Sequence, residues 1–100
     1  MEQLAVEIVG LCREYGECRV EVERMEEARR VKNALESVCA MARQRLDISD
    51  PALLLALLDA CEVTRDEGML QEVLDVVGRN LDRLAVSAES VKLLACCYYY

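Results

Sequence analysis

A chain of 100 residues, 54% of them apolar, forms one domain with enough hydrophobic surface to bury a core. It contains no His, and 12 basic against 19 acidic residues leave a net charge of −7. The first fact removes the usual general base near neutral pH, the Ser/His and Cys/His nucleophile pairs and the imidazole metal ligand. The second opposes the phosphate-neutralising contacts that dominate nucleic-acid affinity.

The longest apolar runs, Pro51 to Leu58 and Leu93 to Tyr100, fall far short of the roughly 20 residues a membrane span needs, and no basic flank precedes an apolar region at the N-terminus. Neither a membrane segment nor a secretion signal is expected, and cytoplasmic is the default location.

In chain order, Leu4, Ile8, Leu11, Cys12 and Tyr15 share one face of a predicted helix over 2–15, which Gly16 can close as a left-handed cap. Cys18, Val20 and Val22 alternate with charged residues and read as a brief extended piece or a frayed helix start. Met25, Ala28, Val31, Leu35, Val38, Cys39, Ala42 and Leu46 then form the stripe of a long second helix over 24–46, with Glu26 and Arg30 paired on its wet side. Ser49-Asp50-Pro51 is a start signal: Ser or Asp can cap the free amides, and Pro fits the first turn.

The third helix, 50–65, is apolar all round from Ala52 to Leu58, which places it centrally among its neighbours. Asp66-Glu67-Gly68 breaks the pattern. Met69, Val73, Val76, Val77, Leu81 and Leu84 define a fourth helix over 69–84, with Asp75 and Arg79 paired outside. Gly78 within it costs ~1 kcal/mol relative to Ala, so a close approach by another helix is expected there. A fifth helix over 88–100 opens at Ser87, with Val86 and Val91 placed as a hydrophobic staple.

Two internal echoes bear on architecture. Arg45-Leu46-Asp47-Ile48-Ser49 matches Arg83-Leu84-Ala85-Val86-Ser87 at an offset of 38, each joining one helix to the capping Ser of the next. Val9-Gly10-Leu11-Cys12, Leu58-Asp59-Ala60-Cys61 and Leu94-Ala95-Cys96-Cys97 share an aliphatic residue followed three positions later by Cys, at spacings of 49 and 36. Helices 1, 3 and 5 are thus candidate equivalents in a degenerate helical-hairpin repeat, with an insertion near residues 17 to 24. A non-repetitive five-helix bundle is the alternative.

The stretch from Ala88 to Tyr99 resembles the first helix of a tetratricopeptide repeat: a large residue at Val91, Leu at Leu94, small residues at Ala95 and Cys97, and aromatics at Tyr98 and Tyr99. Val9 to Cys12 followed by Tyr15-Gly16 is similar to the same helix and its turn. The chain departs from that family in having Val for the usual bulky aromatic, Asp59 for the usual Gly or Ala, and a period above the usual 34 residues. Small residues such as Gly10, Ala95 and the cysteines fit the close helix packing the resemblance implies. Leu57 to Cys61 and Ile8 to Cys12 also resemble pentatricopeptide repeats, whose grooves hold single-stranded RNA. Asp59, Glu62, Asp66, Glu67, Glu72, Asp75 and Asp82 on helices 3 and 4 oppose that function.

Six cysteines raise the question of a disulfide framework. Four occupy core-facing helical positions, where Cys acts as a small buried hydrophobe, so reduced core thiols are expected and one or two disulfides are the alternative. A tetrahedral zinc site wants close pairs. Cys12 and Cys18 are six apart, and the adjacent Cys96 and Cys97 point to different helix faces. The cluster Arg24, Arg29, Arg30, Lys32, Arg43 and Arg45 is interleaved with Glu21, Glu23, Glu26, Glu27 and Glu36 and reads as a mixed, salt-bridged face. No catalytic, metal-binding or cofactor-binding residue is assigned.

Tyr98-Tyr99-Tyr100 cannot all face one core, so at least one exposed aromatic is expected, and exposed aromatics mark interfaces. On the repeat reading, helix 5 is half of a hairpin, which implies either a longer parent chain or a covering subunit; a tail folded back on helices 3 and 4 is the alternative. The expectation is an all-α stack of antiparallel hairpins, about five helices in a single domain over 1–100, acting as a non-enzymatic tetratricopeptide-like module. It would bind another protein, or its own copy, through Val91, Leu94, Tyr98, Tyr99 and Tyr100. A self-assembling structural subunit held by the C-terminal helix is the alternative, and a helical nucleic-acid-binding regulator a further one.

Overall fold

In a computed structural model, which describes residues 2–84 and 87–99, the chain is all-α: five α-helices and, among the described residues, no strand. They are α1 (Glu2–Cys18), α2 (Met25–Arg43), α3 (Pro51–Thr64), α4 (Glu67–Arg79) and α5 (Ala88–Tyr99), with single 3-10 turns at Val22–Arg24 and Leu81–Arg83.

The organising element is α3. Leu53, Leu54, Ala56, Leu57, Leu58, Ala60 and Cys61 are buried all around it, so it needs neighbours on every side. It lies along α1 and also meets α2, α4 and α5, while α2 packs mainly on α1. The odd-numbered helices thus form one layer, α1–α3–α5, with α2 set against α1 and α4 against α3. The core that joins them includes Ile8, Leu35, Ala42, Ile48, Met69, Val73 and Leu93.

Side-chain caps set where three of the helices begin. Asp50, not Ser49, caps α3: its Oδ1 accepts from the Leu53 amide at 3.3 Å, with Pro51 in the first turn. Asp66 caps α4 in the same way through the Met69 amide at 3.0 Å, which starts that helix two residues before the periodic pattern does. At α5 the Ser87 hydroxyl accepts from the Ser90 amide at 3.1 Å. Val86, the other half of the expected staple, lies outside the described residues, as does Tyr100.

Several local expectations are corrected. Gly16 is not a left-handed cap. It lies within α1, which runs on to Cys18 because the Cys18 side chain is fully buried and the Arg19 guanidinium stacks over the Tyr15 ring at 5.8 Å. After it, Val22–Arg24 form a 3-10 turn leading into α2, which fits the frayed helix start and not the extended piece, while Met25 is exposed rather than part of the α2 stripe. Helix α2 ends at Arg43, where the Gln44 and Arg45 amides reach back three residues to the Met41 and Ala42 carbonyls; Leu46 packs on the core from the following loop.

Helix α4 ends at Arg79, since the Asn80 side-chain amide donates to the Val76 carbonyl at 2.7 Å and competes with continued helix. Leu81 is consequently exposed instead of continuing the α4 stripe. On the outer side of α4, Asp75 accepts from Gln71. Nothing lies within 4 Å of a Cβ built at Gly10 or Gly78, so neither glycine serves close helix packing, and Ala95 is exposed.

The turn between α3 and α4 is tight: Arg65 adopts φ 61°, the one positive φ among the described non-glycine residues, and closes α3 as its left-handed cap. Arg43 then ties α2 to this corner. Its guanidinium makes a fork with the Glu72 carboxylate and lies 3.8 Å from Asp66. That hydrogen-bonded pairing holds the Glu72 carboxyl below its ordinary value.

Two outcomes follow. Leu57→Ala, at a side chain with no exposure, should cost about 3 kcal/mol in urea unfolding, against under about 0.5 kcal/mol for Val20→Ala on the surface; equal costs would remove α3 from the centre. Because the folded Glu72 pKa is depressed, the stability it contributes is present above its unfolded value and lost as pH falls through the folded one. Glu72→Gln should therefore flatten the acid limb of the stability curve and cost only about 1 kcal/mol at pH 7, both side chains being partly exposed.

Candidate functional site

Among the described residues, two concave surfaces with a mainly apolar lining stand out once the core is filled. The first is a groove across the odd-helix layer, with a volume of about 420 Å³. From α1 it takes Ala5, Val6, Val9, Gly10 and Arg13; from α3, Ala52, Leu55, Ala56 and Asp59; from α5, Glu89 and Lys92. The floor is aliphatic and small, and Gly10 leaves it open rather than drawing a helix close. The rim alternates in charge, with Arg13 and Lys92 against Asp59 and Glu89. The Asp59 carboxyl is pushed up by desolvation and by Glu62, and Lys92 opposes the shift.

None of the residues expected to form the interface lines this groove. Sequence reasoning missed it because three helices far apart in the chain build it. A signal was present: Val6 and Val9 stand outside the buried stripe of α1 and form a second, smaller apolar row three residues apart.

The second surface is a cleft between α4 and α5, about 320 Å³ in volume, lined by Leu74, Val77, Gly78 and Leu81 on one side and Leu94, Cys97 and Tyr98 on the other. Both helices pack on α3 and make little contact with each other. Leu94 and Tyr98, two of the five expected interface residues, line this cleft. Val91 is 64% exposed and Tyr98 90%, while Leu94 is half-buried against the core. Tyr99, 83% exposed, turns away from this cleft and lies beside the α3–α4 corner with Cys61, Glu62, Arg65 and Leu70.

The basic cluster of α2 does not present a uniform positive face. Arg24 forks onto Glu27 at 2.9 and 3.0 Å, with Glu21 at 3.8 Å, and Arg43 is held by Glu72. The six cysteines are free thiols, with Cys12, Cys18, Cys39 and Cys61 buried and Cys96 and Cys97 half-buried. Cys12, Cys39 and Cys61 come from three different helices and feel one another electrostatically inside the core. Burial, first of all, pushes Cys12 and Cys39 up to about 11 and Cys61 up to about 12. They are protonated packing groups near neutral pH; Arg43 opposes the shift at Cys39 and Cys61 without reversing it. Among the described residues no group of three or more acidic or Cys side chains is arranged to hold a metal ion, and no helix is long and apolar enough to cross a membrane.

No protein-family model, no curated protein and no solved structure matches this chain.

Brief alkylation of the native protein at pH 7.5, read by peptide mass spectrometry, should modify Cys96 and Cys97 first and leave Cys12, Cys18, Cys39 and Cys61 intact until the chain is unfolded. Early labelling of Cys12, Cys39 or Cys61 would show that these thiols are reachable in the folded state.

Proposed function

We propose that this chain is a non-enzymatic protein–protein interaction module of tetratricopeptide-like type, whose groove across α1, α3 and α5 receives an apolar face of another protein. The observation that carries this reading is the groove itself: a concave aliphatic floor with four charged residues of both signs around it. Such a surface suits a peptide or helix that buries a few aliphatic side chains and satisfies the rim with its own charges. The layering supports a stacked-hairpin reading, since alternate helices lie side by side and the intervening ones pack behind them. The pairing of Arg24 and Arg43 with carboxylates, within a chain of net charge −7, favours a protein over nucleic acid as the partner. No reaction is assigned.

The test is selection of a random peptide library displayed on phage against the immobilised protein, with a Val6→Glu/Val9→Glu variant as counter-screen. Both valines are accessible in the groove wall, so the variant should fold with near-normal stability. Peptides with aliphatic residues at helical spacing should be enriched and bind the variant about tenfold or more weakly, a loss of about 1.4 kcal/mol. Failure to enrich any peptide, or equal binding to both proteins, would overturn the groove as the site.

A further inference from the structure

We infer that the cleft between α4 and α5 is a homodimer interface, in which Tyr98 of each copy enters the cleft of the other and lies over Gly78.

Three independent observations meet there. The first is electrostatic. Two copies each carrying −7 repel, so a stable contact must avoid facing carboxylates. Among the described residues, no charged one lines this cleft. By contrast, the groove across α1, α3 and α5, the pocket beside Arg43 and the pocket beneath Tyr99 all include carboxylates. A foreign partner chosen by charge finds no counter-charge in the cleft, whereas a second copy brings an equally neutral surface.

The second observation is Gly78. A glycine inside an exposed helix costs about 1 kcal/mol relative to Ala, and no atom of this chain within 4 Å makes use of the missing side chain. Bare backbone in an open apolar cleft is a seat for a flat ring.

The third is Tyr98 itself, 90% exposed on the rim of that same cleft. Val91, Leu94 and Tyr98 fall at i, i+3 and i+7 on α5, one continuous stripe. Leu74, Gly78 and Leu81 follow the matching spacing of i, i+4 and i+7 along α4 and the turn after it. Projection and hollow are thus on one patch of one copy, which is the condition for an isologous two-fold contact: each copy supplies to the other what it receives. A buried aromatic at the centre of such a patch carries a large share of the binding energy.

The experiment is solution mass by light scattering over a hundredfold concentration range for the full chain and three variants. The wild-type mass should rise from 11.3 kDa to twice that value and stop. Tyr98→Ser should need at least tenfold more protein to dimerise. Gly78→Ala should also weaken the dimer, while its monomer, measured at low concentration, melts at a higher temperature than the wild type; this separates loss of contact from loss of fold. Tyr99→Ser, which alters a ring on the other side of α5, should leave the dimerisation curve unchanged. A wild type that stays monomeric throughout, a mass that grows beyond the dimer, or a dimer unaffected by Tyr98→Ser and Gly78→Ala would each overturn the interface. Because Val6 and Val9 lie in the separate groove, the phage counter-screen variant should dimerise normally, so the two surfaces stand or fall independently.

Discussion

The constraint on which the structure rests is that α3 has almost no face for water. Seven of its fourteen residues are buried around the whole circumference, and Asp59 and Glu62 are its exposed charges. A helix of this kind is stable only when enclosed, each buried Leu gaining roughly 1.5–3 kcal/mol over exposure. The chain meets the demand from both directions: α1 and α2 before it, α4 and α5 after it. The enclosure is uneven. The earlier pair pack on each other as well as on α3, whereas α4 and α5 make little contact with each other, so the later half of the molecule keeps apolar surface that the core does not use.

The two resulting surfaces differ in what they can discriminate. The groove has an aliphatic floor with charges of both signs on the rim, so a partner must match position and sign as well as shape; mismatched charges there lose hydration without compensation. The cleft has no charge and selects by shape alone. The Arg43 link between α2 and the start of α4 bears on the cleft, because it fixes the α3–α4 corner from which α4 sets out toward it. Arg65, held at a left-handed φ of 61° at that corner, sets the exit direction of the chain.

What could be read from the residues was whatever depends on neighbours close in the chain. Ser49-Asp50-Pro51 and the apolar run after it located α3 and its central place, the 3.6-residue periodicity located the other helices, and the tyrosine run pointed to exposed aromatics on α5. Helix ends were less legible, because side chains several residues away decide them: Asp66 starts α4 early, Asn80 stops it early, and the buried Cys18 carries α1 past Gly16. Glycines misled most. Gly10 and Gly78 have the composition of helix-crossing points but open onto empty surface, and only the arrangement of other helices distinguishes the two cases. The groove was illegible for the same reason, since Val9, Ala56 and Lys92 become neighbours only after three helices have assembled.

The burial of Cys12, Cys18, Cys39 and Cys61 makes folding and redox chemistry inseparable. While the domain is intact these thiols are shielded and, for Cys12, Cys39 and Cys61, held in the protonated form that oxidants attack slowly. Once the chain opens, the buried thiols return to ordinary acidity and all six cysteines lie on one flexible polymer, free to cross-link in pairings that the helical core cannot accommodate. Unfolding in an oxidising medium is then a one-way event, and the lifetime of the protein there is governed by its opening rate rather than by its equilibrium stability.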